Sequence, residues 1–504
     1  MKKFAYNSVL EAFVDHAVNT PGKLFIVEGK KEFTYIESFK AAYGYFKHLE
    51  DCGVKAGECV IVKTAQTAAT VFTDMAVAMS RAIYVPVEKV VAADRVNYVI
   101  EKTDAKIFIA DKEMEVNAKW ISMKDIYDYK LDCSDEEAVE KAKNLWNEIG
   151  AVDGETTGQI LFTTGTTGTS KGVEMSNAAT VRVAENVVNG IGIEADGVEI
   201  IPVPINHAYG LRRFYANVLV GSAVVLMDGI VFIATLWKAI EKYNASGLTL
   251  VPASLAMIFK LSGDKISEYK DTLKYVQIGA AVLPPTDKEK LCELLPKTRL
   301  FDFYGCSEAG CVCTADYNEF KDKRKSLGKP TCNAVFKLLL EDGSYVDYPT
   351  TEIQGRLCYS GSMRMKGYWR EPEMTKEAVK DGFIVTNDLA YFDEDGFIYM
   401  LGRADDVINS AGAKIAPTEI EEAMMGCPGV ADCAVVGAPD PVAGEVPKLF
   451  VVPEPGTGLD PVTINNYLFD RLEAYKTPKI IVAIDAIPRT YNGKILRREL
   501  KKLN

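Results

Sequence analysis

Short apolar runs alternate with helical segments between about residues 155 and 305, and this alternation constrains the fold more than any other feature. Runs of this length are typical of buried strands, and the segments at 235–243 and 285–295 are long enough for crossover helices. Strands joined through helices form a largely parallel sheet with helices packed on it. The expected strands are 159–163, 199–203, 223–227, 248–251, 275–278 and 300–303.

The first 110 residues show the same rhythm, with strands expected at 59–63 and 106–109 and a helix at 67–79. We therefore expect a large N-terminal α/β domain of residues 1–402, in which mixed or parallel sheets pack with helices. After Arg403, strands at 433–436, 449–452 and 480–484 alternate with helices at 418–425 and 462–472. This pattern predicts a small α+β domain of residues 407–504. The short, charged link at 403–406 is typical of a hinge.

The composition excludes several classes of protein. A chain of 504 residues is too long for one ordinary domain. Its formal net charge of −12 argues against a nucleic-acid partner, because phosphate binding needs a basic surface. No apolar stretch reaches the roughly 18 residues that span a bilayer, so we expect no membrane insertion. Eleven cysteines without a disulfide-like spacing predict a reducing, cytoplasmic location.

A loop rich in threonine and glycine, T-T-G-T-T-G-T-S-K-G, runs from Thr163 to Gly172. It follows an expected strand and precedes a helix expected to begin near Ser176. Glycines allow backbone N–H groups to turn toward an anion, and Lys171 adds positive charge, so the loop predicts phosphate binding. It is not a Walker A loop, because two residues separate Gly168 from Lys171.

Five further motifs follow this loop in order: P-I-N-H-A-Y-G (204–210), F-Y-G-C-S-E (303–308), T-N-D (386–388), G-R-A-D-D (402–406) and P-R-T-Y-N-G-K-I (488–495). Together the six motifs resemble those of the acyl-adenylate-forming superfamily, which includes acyl-CoA synthetases and 4-coumarate–CoA ligases. The resemblance covers essentially the whole chain. It implies that the chain activates a small carboxylic acid with ATP and Mg²⁺ and then transfers the acyl group to a thiol. CoA is the expected acceptor.

The resemblance also implies the catalytic residues. Attack of a carboxylate on the α-phosphate brings two anions together, so catalysis rests on charge neutralisation and positioning. Glu308 is the expected Mg²⁺ ligand, and Ser307 is expected to donate to the α-phosphate. Lys171 belongs to the loop that holds the leaving phosphates. Lys494 matches the lysine that bridges the carboxylate and the α-phosphate.

The nucleotide is expected to lie between the ring of Tyr304 and the backbone at 279–281, with Asp302 near the adenine amino group. Asp388 is expected to accept the ribose hydroxyls, and Arg403 to support ribose or phosphate. The implied nucleotide-binding set is Thr163, Thr164, Gly165, Thr166, Thr167, Gly168, Thr169, Lys171, Gly279, Ala280, Ala281, Asp302, Phe303, Tyr304, Ser307, Asp388, Arg403 and Lys494. Phe303 stands where the family commonly has glycine, and Asn387 replaces the glycine of T-G-D.

The acyl pocket implied by the resemblance is lined by His207, Tyr209, Arg213 and Gly279. Arg212 and Arg213 suggest that one arginine pairs with a polar or second acidic group of the substrate. The alternative is an arginine that is ion-paired on the protein surface.

Ala411 and Gly412 are expected to line the thiol tunnel, and Asp405 is the expected hinge residue. A lysine that some CoA ligases carry beside Gly412 is missing, so the thiol of a carrier protein remains an alternative acceptor. Two other functions remain open: a stand-alone enzyme that loads a carrier protein, and a nucleotide-binding kinase or regulatory module. The oligomeric state also stays open between monomer and homodimer.

Overall fold

The computed structural model describes residues 1–163, 170–230, 232–281, 283–424, 426–458, 460–489 and 495–503. Up to residue 302 its helices and strands are α1 (Val9–Asn19), β1 (Leu24–Glu28), β2 (Lys31–Thr34), α2 (Tyr35–Asp51), β3 (Cys59–Lys63), α3 (Ala68–Met79), β4 (Ile83–Val87), α4 (Ala93–Thr103), β5 (Ile107–Ala110), β6 (Lys119–Ser122), α5 (Asp135–Ile149), β7 (Thr157–Thr163), β8 (Lys171–Ser176), α6 (Asn177–Ile191), β9 (Val198–Ile201), α7 (Ala208–Val220), β10 (Ala223–Leu226), α8 (Ile233–Tyr243), β11 (Gly247–Leu250), α9 (Pro252–Ser262), β12 (Tyr275–Ile278), α10 (Pro285–Leu294) and β13 (Arg299–Asp302).

Beyond residue 302 the elements are shorter and mostly strands. They are β14 (Tyr304–Cys306), β15 (Gly310–Thr314), β16 (Lys329–Pro330), β17 (Val335–Leu339), β18 (Tyr345–Val346), β19 (Thr350–Ser360), β20 (Gly367–Tyr368), α11 (Pro372–Ala378), β21 (Val379–Lys380), β22 (Phe383–Phe392), β23 (Ile398–Arg403), β24 (Ile408–Ser410), β25 (Ala413–Ile415), α12 (Pro417–Met424), β26 (Val430–Asp440), β27 (Gly444–Pro453), α13 (Pro461–Phe469), β28 (Ile480–Ala483) and α14 (Arg497–Leu500). None of the described helices is both long enough and apolar enough to cross a membrane.

Local sequence signals explain where the helices begin and end. The side chain of Thr34 accepts from the N–H of Glu37, whose carboxylate reaches back to Thr34 and completes a capping box at the start of α2. Ser176 caps α6 in the same way by accepting from the N–H of Ala179. Both α6 and α7 end at a glycine with positive φ, Gly192 and Gly221, a conformation that glycine adopts at low cost.

Among the described residues, the N-terminal domain contains two seven-stranded sheets, as the predicted fold class requires. The first sheet has the order β13-β12-β11-β9-β10-β1-β2, and the second has the order β20-β8-β7-β4-β3-β5-β6. Most neighbouring strands are parallel, and β2, β8 and β20 are antiparallel to their partners. The domain also contains a six-stranded sheet of order β18-β17-β19-β22-β21, in which β23 pairs with β22, and a three-stranded sheet of order β14-β15-β16. The predicted α/β domain followed by a smaller domain is therefore confirmed.

The strands do not divide between the two seven-stranded sheets in chain order. The early strand β1 pairs with β10 in the first sheet, whereas β7 pairs with β4 in the second sheet. The helix expected near Ser176 is α6, which begins at Asn177. Strand β8, which was not predicted, lies between the loop and this helix and pairs antiparallel with β7. An apolar run predicts a strand but contains no information on which strand will be its partner.

The main core lies between the two sheets and combines side chains of both sheets with those of α2, α3, α6 and α7. Helices α8, α9 and α10 cover the other face of the first sheet. Helix α4 packs on the outer face of the second sheet. Ligand sites in such α/β sheets lie at the carboxyl ends of the strands. The loop after β7, the 279–281 segment after β12 and the residues after β13 all begin at such ends.

The chain changes sheet between Arg403 and Ile408. Strand β23 ends at Arg403 and pairs with β22, whereas β24 begins at Ile408 and joins a sheet of order β25-β24-β27-β26. Strand β28 pairs with β27 in that sheet, and α12 and α13 bury apolar side chains against it. The expected hinge at 403–406 falls inside this change of sheet.

Candidate active site

The phosphate loop is anchored at both of its described margins. Arg95 Nη2 donates to Ser170 Oγ at 2.8 Å, and Ser170 Oγ donates to the carbonyl of Thr163 at 2.7 Å. Tyr98 donates its hydroxyl to the carbonyl of Ser170 at 2.8 Å. Ser170 therefore links the two described margins of the loop, and helix α4 holds Ser170 in place. The central predicted ligands Thr164, Gly165, Thr166, Thr167, Gly168 and Thr169 lie outside the described residues.

Tyr368 connects two of the predicted catalytic residues. Its hydroxyl donates to Glu308 Oε1 at 2.8 Å, and Lys171 Nζ lies 4.9 Å from the centroid of its ring. Burial and the nearby Glu308 carboxylate raise the pKa of the Tyr368 hydroxyl, so it stays protonated and acts as a donor. Sequence reasoning missed Tyr368, since it lies 60 residues after Glu308 in the chain. Ser307, beside Glu308, is partly buried.

Tyr304, Asp388 and Arg403 form a second group. The Tyr304 hydroxyl donates to Asp388 Oδ2 at 2.6 Å, and Arg403 Nε lies 3.8 Å from Asp388 Oδ1. Asp388 and Arg403 are directly paired between β22 and β23. Burial and the Asp388 carboxylate raise the pKa of Tyr304 well above its usual value. The hydrogen bond fixes the orientation of the ring that is expected to stack on adenine.

Asp302, the expected reader of the adenine amino group, is held by a lysine that sequence reasoning also missed. Lys288 Nζ donates to Asp302 Oδ2 at 2.7 Å and to the carbonyl of Arg324 at 2.8 Å, and it lies 4.1 Å from the centroid of the Tyr317 ring. Burial raises the pKa of Asp302 to about 6, although Lys288 opposes the shift. The Asp302 side chain is 26% exposed, so it remains accessible to a ligand.

The segment at 279–281 follows β12 directly. Ala280 has a φ of 72°, a left-handed conformation that costs a non-glycine residue free energy and is concentrated at functional sites. Gly279 is buried, Ala280 is partly buried and Ala281 is exposed. The segment therefore runs outward from the core at the edge where the nucleotide was predicted.

The predicted acyl pocket is bounded by two aromatic rings. His207 caps α7 by accepting from the N–H of Tyr209. The rings of Tyr209 and Phe303 stack with centroids 5.0 Å apart and an interplanar angle of 26°. A Cβ atom at Gly279 would lie 2.9 Å from Tyr209 Cζ and 3.1 Å from Phe303 Cβ. The structure thus brings His207, Tyr209, Gly279 and Phe303 together.

Arg213 has a different environment from either alternative considered above. It is 1% exposed and donates through Nε and Nη2 to Glu199 Oε1, at 2.8 and 2.6 Å. Because this charge is neutralised by Glu199 in the core, the expectation that Arg213 pairs with a substrate acid is corrected. Arg212 is also buried, and burial lowers its pKa to about 10.

The expected hinge residue contacts the sheet that the chain leaves at Arg403. Asn387 Nδ2 donates to Asp405 Oδ2 at 2.7 Å, and the N–H of Ala404 donates to the Asn387 carbonyl at 2.7 Å. Asn387 occupies the glycine position of the family motif, so this bond uses a side chain that glycine lacks.

The residues expected to line the thiol tunnel lie beside the start of β27 in the small domain. Ala411 and Gly412, with φ of 49° and 87°, form the exposed tip of the β24–β25 hairpin. The Ala411 N–H donates to the carbonyl of Ala443, next to Gly444 at the start of β27. Lys494 lies outside the described residues, and a β-bridge between Arg489 and Ile495 flanks its segment.

Two protein-family models match this chain. Residues 13–369 match the family described as AMP-binding enzyme, and residues 419–494 match the AMP-binding enzyme C-terminal domain. The chain is 31% identical over 363 residues to peroxisomal OPC-8:0-CoA ligase 1 of Arabidopsis thaliana, and this match covers 70% of the chain and 65% of that relative. It is 28% identical over 473 residues to oxalate–CoA ligase of the same plant, with 89% of each chain covered.

Among solved structures, o-succinylbenzoate CoA synthetase of Bacillus subtilis, in complex with its acyl-adenylate intermediate, aligns with a TM-score of 0.84 at 23% identity. The alignment covers 98% of each chain, which shows that the two share a fold. The first family match alone extends over most of the sequence and contains the phosphate loop, Glu308 and Tyr368. The chain therefore belongs to the AMP-binding enzyme family.

Proposed function

We propose that this protein is an acid–thiol ligase that activates a carboxylic acid with ATP as an acyl-adenylate and then transfers the acyl group to CoA. The observation that carries the proposal is the contact of Tyr368 with both Lys171 and Glu308, beside the Tyr304–Asp388 pair. This arrangement combines a phosphate loop with the Glu308 carboxylate, which would bind a cation, and the Asp388 carboxylate, which would bind ribose. The names of the related CoA ligases support the choice of acceptor.

In the first step, an oxygen of the substrate carboxylate forms a bond to the α-phosphorus of ATP. The bond from that phosphorus to the oxygen that bridges to the β-phosphate breaks, and pyrophosphate leaves. The loop and Lys171 hold the leaving phosphates, Ser307 donates to the α-phosphate, and Lys494 approaches the carboxylate and the α-phosphate. All these residues act by lowering the electrostatic cost of bringing two anions together.

The residues present fit a magnesium ion. Mg²⁺ in nucleotide sites is held by one or two carboxylates together with phosphate oxygens and waters, and Glu308 supplies one carboxylate whose orientation Tyr368 fixes. When bound there, Mg²⁺ would neutralise negative charge on the phosphates.

In the second step, the sulfur of the CoA thiolate bonds to the acyl carbon, the bond from that carbon to the AMP oxygen breaks, and AMP leaves. We propose that the small domain rotates about Asp405 between the two steps, so that the tip at Ala411 and Gly412 comes to line the thiol path. The Asn387–Asp405 hydrogen bond holds the present arrangement of the hinge. We also propose a cytoplasmic location, which the eleven free cysteine thiols support.

The products of the reaction test this proposal. A panel of carboxylic acids is incubated with ATP and Mg²⁺, with and without CoA, and nucleotides and acyl products are separated. Acid-dependent AMP and pyrophosphate, together with an acyl-CoA, are expected. Adenylate without turnover of CoA would favour a carrier protein as acceptor, and ADP as the product would refute adenylation in favour of a kinase.

A further inference from the structure

We infer that the acyl site accepts only short carboxylic acids, and that Phe303 is the residue that limits their length. This inference rests on the proposed function, since it concerns the acid that the same site would activate. Its basis is the stacked pair of Phe303 and Tyr209, which occupies the region between the start of α7 and Gly279.

The two rings fill the space that a longer substrate would need. A single added carbon at Gly279 would already lie 2.9 Å from Tyr209 Cζ and 3.1 Å from Phe303 Cβ and Cδ1, closer than ordinary van der Waals contact. Protein interiors have almost no free volume, so a buried acyl chain would have to displace a ring. An acid whose chain ends before the rings needs no such displacement.

Neighbouring contacts hold both rings in place. Tyr209 is 4% exposed, and its hydroxyl lies 3.2 Å from the carbonyl of Leu250 and 3.3 Å from that of Gln277, within hydrogen-bond reach of both. Phe303 lies between Asp302, which pairs with Lys288, and Tyr304, which pairs with Asp388. The residues on each side of Phe303 are therefore held by hydrogen bonds of their own side chains, which restricts a shift of this segment away from Tyr209.

The region behind the rings is polar, which disfavours an apolar chain there. Glu199 accepts from Arg213, Asn217, Thr249 and Tyr275, and all of these residues are buried.

Gln277 lies on the same face of β12 as Tyr275, because side chains two residues apart on a strand point to the same side. Its amide is fully buried and has no hydrogen-bond partner among the described residues. The amide already lacks a partner among those residues, and an apolar chain that reached this region would supply none, so the region favours a polar occupant over an apolar chain.

The test measures kcat/KM for acid-dependent pyrophosphate release with acetate, propionate, oxalate, octanoate and cinnamate. The wild-type protein is expected to prefer the short acids, because each methylene that a pocket cannot accommodate costs roughly 10- to 200-fold in kcat/KM. Phe303→Ala and the smaller change Phe303→Leu are expected to raise kcat/KM for octanoate or cinnamate relative to propionate by more than about tenfold. Phe232→Leu is the control, since Phe232 is 76% exposed.

ATP binding and the melting temperature are measured for each variant, so that a variant that does not fold is recognised. If Phe303→Ala does not fold, Phe303→Leu still tests the inference. Wild-type turnover of octanoate or cinnamate as efficient as that of propionate would overturn the inference while leaving the proposed function intact. An unchanged ranking of acids in both folded variants would overturn the role of Phe303. Absence of pyrophosphate release with every acid would instead contradict the proposed function.

Discussion

The hydroxyl of Tyr368 should control the affinity of the site for magnesium. The hydroxyl donates to Glu308 Oε1 at 2.8 Å, and Tyr368 is only 8% exposed. A hydrogen bond to a charged group contributes about 1.5–3 kcal/mol, and loss of a partner that orients a metal ligand lowers metal affinity by about 10- to 100-fold. The variant Tyr368→Phe removes the hydroxyl but keeps a ring beneath Lys171. We therefore expect a rise of that size in the Mg²⁺ concentration that gives half-maximal activity.

The assay is pyrophosphate release at fixed ATP and acid, with Mg²⁺ as the variable. Activity of Tyr368→Phe should recover at saturating Mg²⁺, whereas Tyr368→Leu should also lose the contact with Lys171 and recover less. Tyr391→Phe is a matched control, because Tyr391 lies on β22 and its ring stacks on that of Tyr399 on β23. Identical Mg²⁺ dependence of Tyr368→Phe and the wild type, or a defect that Mg²⁺ does not rescue, would refute this reasoning.

Three further variants test other parts of the site. Because the pKa of Asp302 is raised to about 6, its carboxylate becomes protonated as the pH falls through that value, and KM for ATP should rise. Lys288→Met removes the cation that lowers this pKa and should move the rise in KM to higher pH. Superimposable profiles of KM against pH for the variant and the wild type would argue against a role for the pair. Arg213→Met leaves Glu199 buried without its cation and should lower the free energy of unfolding by about 3–5 kcal/mol, measured by denaturant titration. A change below about 1 kcal/mol would show that the ion pair is dispensable for stability. Asp405→Pro should slow only one of the two half-reactions in single-turnover measurements, so equal rates for both would count against the hinge.

Much of the fold could be predicted because buried strands and crossover helices leave periodic patterns. The predicted strands at 59–63 and 275–278 coincide with β3 and β12. Strand pairing could not be predicted in the same way, since β1 and β10 are far apart in the chain and no local pattern links them. Strand β8 was overlooked because glycine and lysine at its start suggest a loop.

The candidate site shows the same difference between residues in local motifs and contacts between distant segments. Residues within the motifs, such as Glu308 and Asp388, could be identified because their spacing along the chain is characteristic. Their partners could not, because Tyr368 and Lys288 contact the site only through the folding of distant segments, 60 and 14 residues away. Arg213 shows the converse case, in which a residue that the resemblance placed in the acyl pocket forms an ion pair in the core instead.

The central claim is that an acid is activated as an adenylate, and isotope exchange between labelled pyrophosphate and ATP tests it most directly. The account predicts exchange that requires the acid and Mg²⁺, proceeds without CoA, and is lost in Lys494→Ala. That variant should still transfer the acyl group from a supplied acyl-adenylate to CoA. Exchange that does not depend on the acid, or its absence under conditions in which acyl-CoA forms, would contradict the account.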